Sequence, residues 1–276
     1  MKTIIVATDF SQPSLNAVYY AAEMAAYLHK QLAIIHVCEY PLVATELPYP
    51  AYDLAALQDS AQADLKALEE KVRQQMTSKV DLTTVVKTGD VIMQINNFCA
   101  SQEVYAVVMG IHGTSGKTNR LFFGSKTLEG LNHLDYPLII VPEDAVFMTI
   151  ERVAIASDFK NVSKKIHFYD IRQFVKDLHA DLHVIHIKEK NKPLRDVRDS
   201  DEFRVFRDLM RDLNPAYHIV EKTNIADGIN ELLKTLEIDL LILMPGRHTG
   251  LEKLFHKSQS KDLTLHMQVP ILSIHE

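Results

Sequence analysis

Cysteine is scarce in this chain of 276 residues, which contains only Cys38 and Cys99. They form no C-x-x-C pair, so the sequence signals neither a disulfide framework nor a zinc site, and we expect two reduced, buried thiols. Long apolar runs are absent too. The N-terminal apolar run ends at Asp9, too early for a signal peptide, and no run approaches the roughly 20 residues of a membrane span. We therefore predict a cytoplasmic protein without membrane contact.

An excess of positive charge is also missing. The chain has 30 Lys and Arg residues against 36 Asp and Glu residues, which gives a formal net charge of −6 at pH 7. Nucleic acids and anionic membranes attract basic surfaces. The charge balance therefore disfavours a nucleic-acid partner.

Two parts of the sequence repeat one plan, which indicates a duplicated domain. IVATDF at residues 5–10 returns as AIASDF at residues 154–159, and the segment that begins at Leu28 returns 150 positions later at Leu178. The length suits two domains of about 100 to 150 residues each. We predict one domain at residues 1–145 and a second at residues 151–276.

Each copy reads as alternating strands and helices. Short β-branched runs are apolar nearly throughout, as expected for parallel strands that are covered on both faces. The predicted strands of the first copy are Thr3 to Ala7, Leu32 to Val37, Leu82 to Lys87, Val104 to Met109 and Leu138 to Val141. Strand–helix alternation implies right-handed crossovers, so the predicted fold class is α/β, with two tandem doubly wound parallel sheets.

Apolar spacing predicts two helices in the first copy. Ser11 is placed to cap the first helix, with Pro13 in its first turn and a buried stripe that continues to Leu28. The segment from Glu39 to Tyr52 is predicted to be a loop over the carboxyl ends of the strands, either a surface connection or a lid. A longer helix is predicted from Asp53 to Met76, with these residues directed inward: Leu54, Leu57, Ala61, Leu65 and Leu68.

Glycine is rare, with nine residues in all, and its placement distinguishes the two copies. The first copy has Gly110-Ile111-His112-Gly113, then ten residues, then Gly124-Ser125. The second has Pro245-Gly246-Arg247-His248 and later Lys257-Ser258. Because glycine has no Cβ, the first pattern lets the backbone approach an anion, turn with positive φ and direct several N–H groups at it. Two unrelated tight turns are the alternative.

Asp9 closes the first strand and Gly110 closes the fourth. A reversal of strand order between those two strands would bring both residues to one ligand-binding crevice. Gly124 and Ser125 would then open the next helix, whose N-terminal amides and partial positive charge favour an anion.

Two other motifs suggest a P-loop and a zinc site, but the spacing of their residues does not support either. Gly116-Lys117-Thr118 is similar to the end of a P-loop, but that motif requires glycine at position 111, where this chain has isoleucine. His179, His183 and His186 lie close together, as zinc ligands do. Because side chains alternate along a strand, His183 and His186 point to opposite faces, which disfavours a metal site.

Taken together, the motifs resemble those of the universal stress protein domain. They are Thr8-Asp9-Phe10-Ser11, His36-Val37, Met109-Gly110-x-x-Gly113, Gly124-Ser125 and residues 137–142. The resemblance covers residues 1–143 and, with weaker motifs, residues 151–276, which indicates the tandem form. It implies a five-stranded, Rossmann-like sheet in each domain, ATP binding in the glycine-bearing subset, and pairing of two domains through their last strands. Such pairing would make an intramolecular pseudo-dimer, with a homodimer as a further option.

The resemblance also implies a set of site residues in the first copy. Ala7, Thr8 and Asp9 would lie along the nucleotide, with Asp9 near the adenosine or a bound metal. The backbone of Val37 would contact adenine, and Met109 and Gly110 would line the ribose. The residues that would surround the phosphates, mainly through backbone amides, are Gly113, Gly124, Ser125 and Lys126.

This chain departs from the family in two places. The family has nine residues between its second and third glycines, whereas residues 114–123 make ten, so adenosine recognition is better supported than a triphosphate pose. In the second copy Pro245 offers no N–H. The bulky residues His248 and Lys257 replace the other glycines, so we expect no nucleotide there. Asp158 would then be a helix cap. The alternative is that the side chains of Arg247, His248 and Lys257 bind a different anion.

We predict a stress-response protein whose N-terminal domain binds ATP or a related adenine nucleotide, with or without Mg²⁺. Nucleotide occupancy would bias a conformation that unknown protein partners read. No catalytic residue is predicted. The open alternatives are a ligand-free structural module and a slow Mg²⁺-dependent ATPase that uses Asp9 and Lys117.

Overall fold

The computed structural model describes residues 1–39, 54–111, 125–159, 162, 168–189, 197–243 and 269–274. These residues fall into two compact units, with the change of unit between Phe147 and Met148. The loop predicted after Glu39, a surface connection or a lid, lies outside the described residues, as do His112, Lys117 and the substituted glycine positions of the second copy. The domain limits at residues 145 and 151 stay a prediction.

The first unit contains one parallel sheet of five strands. Its strands are β1 (Thr3–Ala7), β2 (Gln31–Cys38), β3 (Leu82–Thr88), β4 (Val104–Ile111) and β5 (Leu138–Pro142). The spatial order is β3-β2-β1-β4-β5, and every neighbouring pair is parallel. Four of the five residues in β1 are buried, and all five in β5, because helices cover both faces of the sheet. The predicted α/β fold class is confirmed.

The helices in the described residues of this unit are α1 (Gln12–Tyr27), α2 (Leu54–Gln75), α3 (Val91–Cys99) and α4 (Ser125–His133). The prediction that Ser11 caps α1 with its side chain is wrong. Ser11 occupies the N-cap position, but its hydroxyl donates to Asp9 and makes no capping bond. Leu57 is also wrongly predicted as inward, since 42% of it is exposed. The next residue, Gln58, donates to the hydroxyl of Thr88, the last residue of β3, so the first turn of α2 lies where the sheet ends.

The second unit repeats this topology. Its strands are β6 (Arg152–Ala156), β7 (Asp181–Glu189), β8 (Ala216–Lys222), β9 (Leu240–Leu243) and β10 (Ile271–Ser273), in the spatial order β8-β7-β6-β9-β10. All of these pairs are parallel. The described helices are α5 (Phe168–Leu178), α6 (Asp201–Met210) and α7 (Ile225–Thr235). Within the described parts of both units, no helix is long and apolar enough to cross a membrane.

The two thiols differ in burial. Cys99 is fully buried in α3, and burial raises the pKa of its thiol to about 12. Cys38 is only half-buried, so the prediction that both are buried holds for Cys99 alone. The reason is its position as the last residue of β2, where the strand leaves the covered part of the sheet.

Candidate functional site

A cavity of about 220 Å³ lies at the carboxyl ends of β1 and β4. Here the strand order reverses, because β1 pairs with β2 on one side and with β4 on the other. Parallel α/β sheets bind ligands at such positions. The predicted site residues that line the cavity are Ala7, Thr8, Asp9, Val37, Met109, Gly110 and Lys126. Of the remaining three, Gly113 and Gly124 lie outside the described residues, and Ser125 begins α4.

A hydrogen-bonded turn follows β1 and forms one wall of the cavity. Phe10 has a φ of 62°, a left-handed conformation that a bulky residue keeps only when its surroundings hold it. The Phe10 N–H donates to Thr8 Oγ1 at 3.0 Å, and Thr8 Oγ1 lies 3.0 Å from Ser14 Oγ. The Asp9 N–H donates to Ser14 Oγ at 3.3 Å. The buried Ser14 hydroxyl therefore ties the end of β1 to the first turn of α1.

Asp9 contributes a carboxylate to this wall. Its Oδ1 accepts hydrogen bonds from Ser11 Oγ at 2.5 Å and from the Ser11 N–H at 3.0 Å. Partial burial acts to raise the pKa of Asp9, but hydrogen bonds from Ser11 and Ser14 outweigh it and hold the pKa below the ordinary value of 3.8. Asp9 is therefore ionised at neutral pH and suited to a cation or a hydroxyl donor.

Gly110 has a packing role that the sequence did not suggest. It lies inside β4, one residue before the strand ends, and pairs with Val141. Among the described residues Gly89 is the glycine with positive φ, so Gly110 does not use the left-handed conformation that glycine permits. A Cβ at Gly110 would lie 2.2 Å from the carbonyl oxygen of Pro13 and 2.9 Å from Ser14 N. Only glycine permits α1 to start this close to β4. That approach brings the first turn of α1 to the cavity.

Apolar side chains form the other walls. Ile35 and Val37 come from β2, Met109 and Ile111 from β4, and Val91 from the first position of α3. Val37 and Met109 are each less than 10% exposed. An apolar slot with a few polar groups at one end is typical of small-molecule sites, and it suits a flat aromatic ring.

Three helices begin at the cavity. First-turn residues of α1, α3 and α4 line it, represented by Ser14, Val91 and Thr127. Helix N-termini carry partial positive charge and unsatisfied N–H groups, which favour anions. Asp90 caps α3 by accepting from the Met93 N–H at 2.9 Å, whereas α1 has no side-chain cap. In α4 the Thr127 hydroxyl donates to the Gly110 carbonyl at 3.1 Å and fixes the helix start to β4.

Lys126 is the cation of this site. Its Nζ lies 2.6 Å from Glu39 Oε1 and 3.5 Å from Glu129 Oε2. The hydrogen bond to Glu39 raises the pKa of Lys126, so the ammonium stays charged at neutral pH. Glu39 follows the last residue of β2 and also lines the cavity.

Eight residues that line the cavity were not among the predicted site residues: Ser11, Pro13, Ser14, Ile35, Glu39, Val91, Ile111 and Thr127. Ser14 and Thr127 had a usable signal, because the first turn of a helix that follows a strand end faces the crevice. For Glu39, the predicted loop over the carboxyl ends of the strands indicated a place near the crevice but not its contact with Lys126, which joins distant parts of the chain. In the sequence, nothing distinguishes Val91 from an ordinary apolar residue of a helix.

The second unit has a smaller cavity at the corresponding place. Its volume is about 40 Å³. Its described lining is formed by Ala156, Ser157, Asp158, Ile185, His186, Ile187, Ile225 and Ile229. The residues that follow Asp158 in the chain are largely outside the described part, so its predicted role as a helix cap stays a prediction.

His183 and His186, two of the three histidines considered as zinc ligands, have different partners. His186 Nδ1 lies 2.8 Å from the carbonyl oxygen of Ser157, whereas His183 Nδ1 lies 3.0 Å from His218 Nε2 on the neighbouring strand. Among the described residues, no group of three or more His, Cys, Asp or Glu side chains is arranged to hold a metal ion.

Comparison with known proteins agrees with this geometry. The sequence profile of the universal stress protein family matches residues 1–142, just over half of the chain. The chain belongs to this family. A universal stress protein from Archaeoglobus fulgidus has a similar fold, with a TM-score of 0.72 at 17% identity, over 99% of this chain and 98% of that one.

A second similar structure is a functionally unknown protein from Pseudomonas aeruginosa. It has a TM-score of 0.59 at 14% identity, over 100% of this chain and 92% of that one. At these identities the likeness concerns the fold alone. No curated protein sequence matches the chain.

Proposed function

We propose that this universal stress protein binds one adenine nucleotide, ATP or a close relative, in the cavity of its first unit. The observation that carries the proposal is the cavity itself, an apolar slot at a strand-order reversal where three helices begin. Its volume of about 220 Å³ is below the roughly 300 Å³ at which pockets for drug-sized ligands begin. The cavity therefore suits the nucleoside part of a nucleotide. The phosphates would extend toward the helix N-termini.

The adenine, the ribose and the phosphates would each contact a different part of the cavity lining. The adenine ring would lie in the apolar slot by the Val37 backbone, with the ribose against Met109 and Gly110. The phosphates would lie at the first turn of α4, near Lys126 and the predicted residues Gly113, Gly124 and Ser125. A bound Mg²⁺ would suit Asp9, whose carboxylate is ionised at neutral pH. The metal would neutralise part of the phosphate charge.

The nucleotide would act as a regulatory ligand. Binding would stabilise the conformation that closes around it, and other proteins would recognise that conformation. The second unit, with its cavity of about 40 Å³, would be a degenerate partner that binds no nucleotide. Two alternatives from other classes are a ligand-free structural module and a slow ATPase.

Calorimetric titration with ATP and Mg²⁺ tests the proposal through the variant Ala7→Leu. Ala7 is half-buried at the end of β1, and a larger side chain there extends into the cavity. We expect Ala7→Leu to weaken binding by at least about a hundredfold, or roughly 2.7 kcal/mol. Ala63→Leu makes the same chemical change on the exposed face of α2 and should leave binding unchanged.

The same titration separates the alternatives. Absence of a heat of binding in the unaltered protein would favour the structural module. Equal binding in Ala7→Leu would place the nucleotide elsewhere and contradict the proposal. Phosphate release that disappears in Asp9→Ala would favour the ATPase.

A further inference from the structure

An ion pair lies at the phosphate end of the cavity and joins its two sides. Glu39 lies beyond the end of β2, and Lys126 lies in the first turn of α4. Their charged atoms are 2.6 Å apart, and both residues line the cavity. The Glu39 side chain is 52% exposed and that of Lys126 is 35% exposed. The pair is therefore accessible to a ligand that enters from solvent.

The charge around this pair is not that of a simple anion site. Three charged residues line the described part of the cavity: Asp9, Glu39 and Lys126. Two carboxylates and one ammonium give −2 + 1 = −1. A phosphate monoester carries about −1.5 to −2 at pH 7, so each added phosphate meets repulsion from the carboxylates. Adenosine, which has no phosphate, meets none.

Exchange of Glu39 for a phosphate at Lys126 is energetically accessible. An exposed ion pair changes an equilibrium by at most about fivefold, because water and salt screen it. A phosphate offers more charge and more acceptor oxygens than one carboxylate, and it makes strong charge-assisted hydrogen bonds to an ammonium. The adjacent N-terminus of α4 attracts anions, and it attracts a phosphate more strongly than a carboxylate because the phosphate carries more negative charge.

We propose that the Glu39–Lys126 pair sets which adenine ligands the cavity prefers, according to their number of phosphates. When a phosphorylated ligand binds, Lys126 leaves Glu39 and pairs with the phosphate. Glu39 then lies unpaired beside a like charge and lowers the affinity for nucleotides, while the affinity for adenosine is unaffected. Glu39 is thus a specificity residue that acts against phosphates, and Lys126 is the side chain that favours them. This inference rests on the proposed nucleotide site.

The test is a set of titrations with adenosine, AMP and ATP with Mg²⁺, on the unaltered chain and three variants. Glu39→Gln removes the competing carboxylate and should tighten ATP binding by about threefold to tenfold, with a smaller gain for AMP. Lys126→Met should weaken ATP binding by about tenfold. Both should leave adenosine affinity within about twofold, since no charge of that ligand is involved.

Glu129→Gln is the matched control. Glu129 lies 3.5 Å from the same ammonium and carries the same charge as Glu39, but it is not part of the described cavity lining. It should change the ratio of ATP to adenosine affinity by less than about twofold. Thermal unfolding of each variant checks that these exposed substitutions leave the fold intact.

The outcomes distinguish this inference from the proposed function. If adenosine and ATP bind but their affinity ratio is the same in Glu39→Gln as in the unaltered chain, the inference is wrong and the nucleotide site stands. A Glu129→Gln effect as large as that of Glu39→Gln would also overturn it. If none of the three ligands binds the unaltered chain, the nucleotide site and the inference fail together.

Discussion

The crevices of the two units share a backbone plan but differ in the space they enclose. In the first, the Phe10 N–H donates to the Thr8 hydroxyl at 3.0 Å, and in the second the Phe159 N–H donates to the Ser157 hydroxyl at 3.1 Å. Phe10 and Phe159 both have positive φ, 62° and 51°. The same strained turn therefore closes the first strand of each unit.

A histidine on the next strand supports each turn. His36 Nδ1 lies 2.8 Å from the Thr8 carbonyl oxygen, and His186 Nδ1 lies 2.8 Å from that of Ser157. Each imidazole also packs against the phenylalanine of its turn, at ring distances of 4.7 and 5.3 Å. Because both units keep this arrangement, it belongs to the fold, and its presence alone does not indicate a ligand.

The two cavities differ in the side chains that line them. Isoleucine stands at 187 where the first unit has Val37, and Ile225 takes the first helical position that Val91 holds in α3. Ile229, one turn further along α7, also reaches the cavity. Isoleucine is one methylene larger than the valine at each of those two positions, and the second cavity measures about 40 Å³, against about 220 Å³ in the first. Among the described residues, larger wall side chains therefore accompany the smaller cavity.

The largest effect is expected at Gly110, the strand glycine that the second copy replaces. Gly110→Ala would place a Cβ 2.2 Å from the backbone carbonyl of Pro13, which a rotamer change cannot relieve. We expect a loss of about 2 to 3 kcal/mol in the free energy of unfolding, measured in urea. Nucleotide affinity should fall as well, because α1 moves away from β4.

Gly130 gives the control for that prediction. A Cβ there would lie 3.2 Å from side-chain atoms of Leu134 and Met109, which are flexible, and alanine favours the helix by about 1 kcal/mol. Gly130→Ala should therefore change stability by less than about 1 kcal/mol in either direction. Equal losses at Gly110 and Gly130 would show that close packing against α1 does not explain the glycine in β4.

A smaller difference is expected in the response of the two sheets to acid. His183 and His218 contact each other in the second unit, with rings nearly parallel, where the first unit has Ala33 and Val85. Burial lowers the pKa of both imidazoles below the ordinary value of 6.5. For His183, the neighbouring His218 and Arg152 also lower the pKa, and Asp181 opposes them.

The sign of the pH dependence follows from those shifts. The unfolded chain binds protons at these two histidines more readily than the folded chain does. The free energy of unfolding is therefore at its full value above pH 6.5, and it falls as the pH drops toward the lowered pKa values. Amide hydrogen exchange at pH 7.5 and 5.5, corrected for intrinsic rates, should show β7 and β8 losing protection at the lower pH. The strands β2 and β3 should change less.

Replacing the pair by its first-unit counterparts sharpens this test. The double variant His183→Ala, His218→Val should remove most of the acid sensitivity of β7 and β8. Sensitivity that persists unchanged in the double variant would assign the effect to other groups.

Features that depend on local pattern could be predicted from the sequence. The bounds of β1 were predicted as Thr3 to Ala7, because an apolar run ended by Asp9 leaves little choice. The buried stripe of α1 as far as Leu28 is also confirmed, since helical spacing determines which side chains share a face. The alternation of strands and helices predicted a parallel sheet, whereas the strand order that brings Asp9 and Gly110 to one crevice was only a condition, which the structure meets.

Features that depend on the meeting of distant segments could not be predicted. The reason for glycine at 110 is the carbonyl of Pro13, which no local pattern reveals. The Ser11 hydroxyl had two partners available, the helix N–H groups and Asp9, and only the folded turn decides between them. His183 was read with its sequence neighbours, whereas its contact is His218 on the adjacent strand.

The central claim is that one chain binds one adenine nucleotide, in the first unit. Native mass spectrometry of the chain with ATP and Mg²⁺ measures this stoichiometry directly. We predict a single added nucleotide per chain, retained in Ala63→Leu and lost in Ala7→Leu. Two nucleotides per chain, or one that Ala7→Leu does not remove, would contradict the claim.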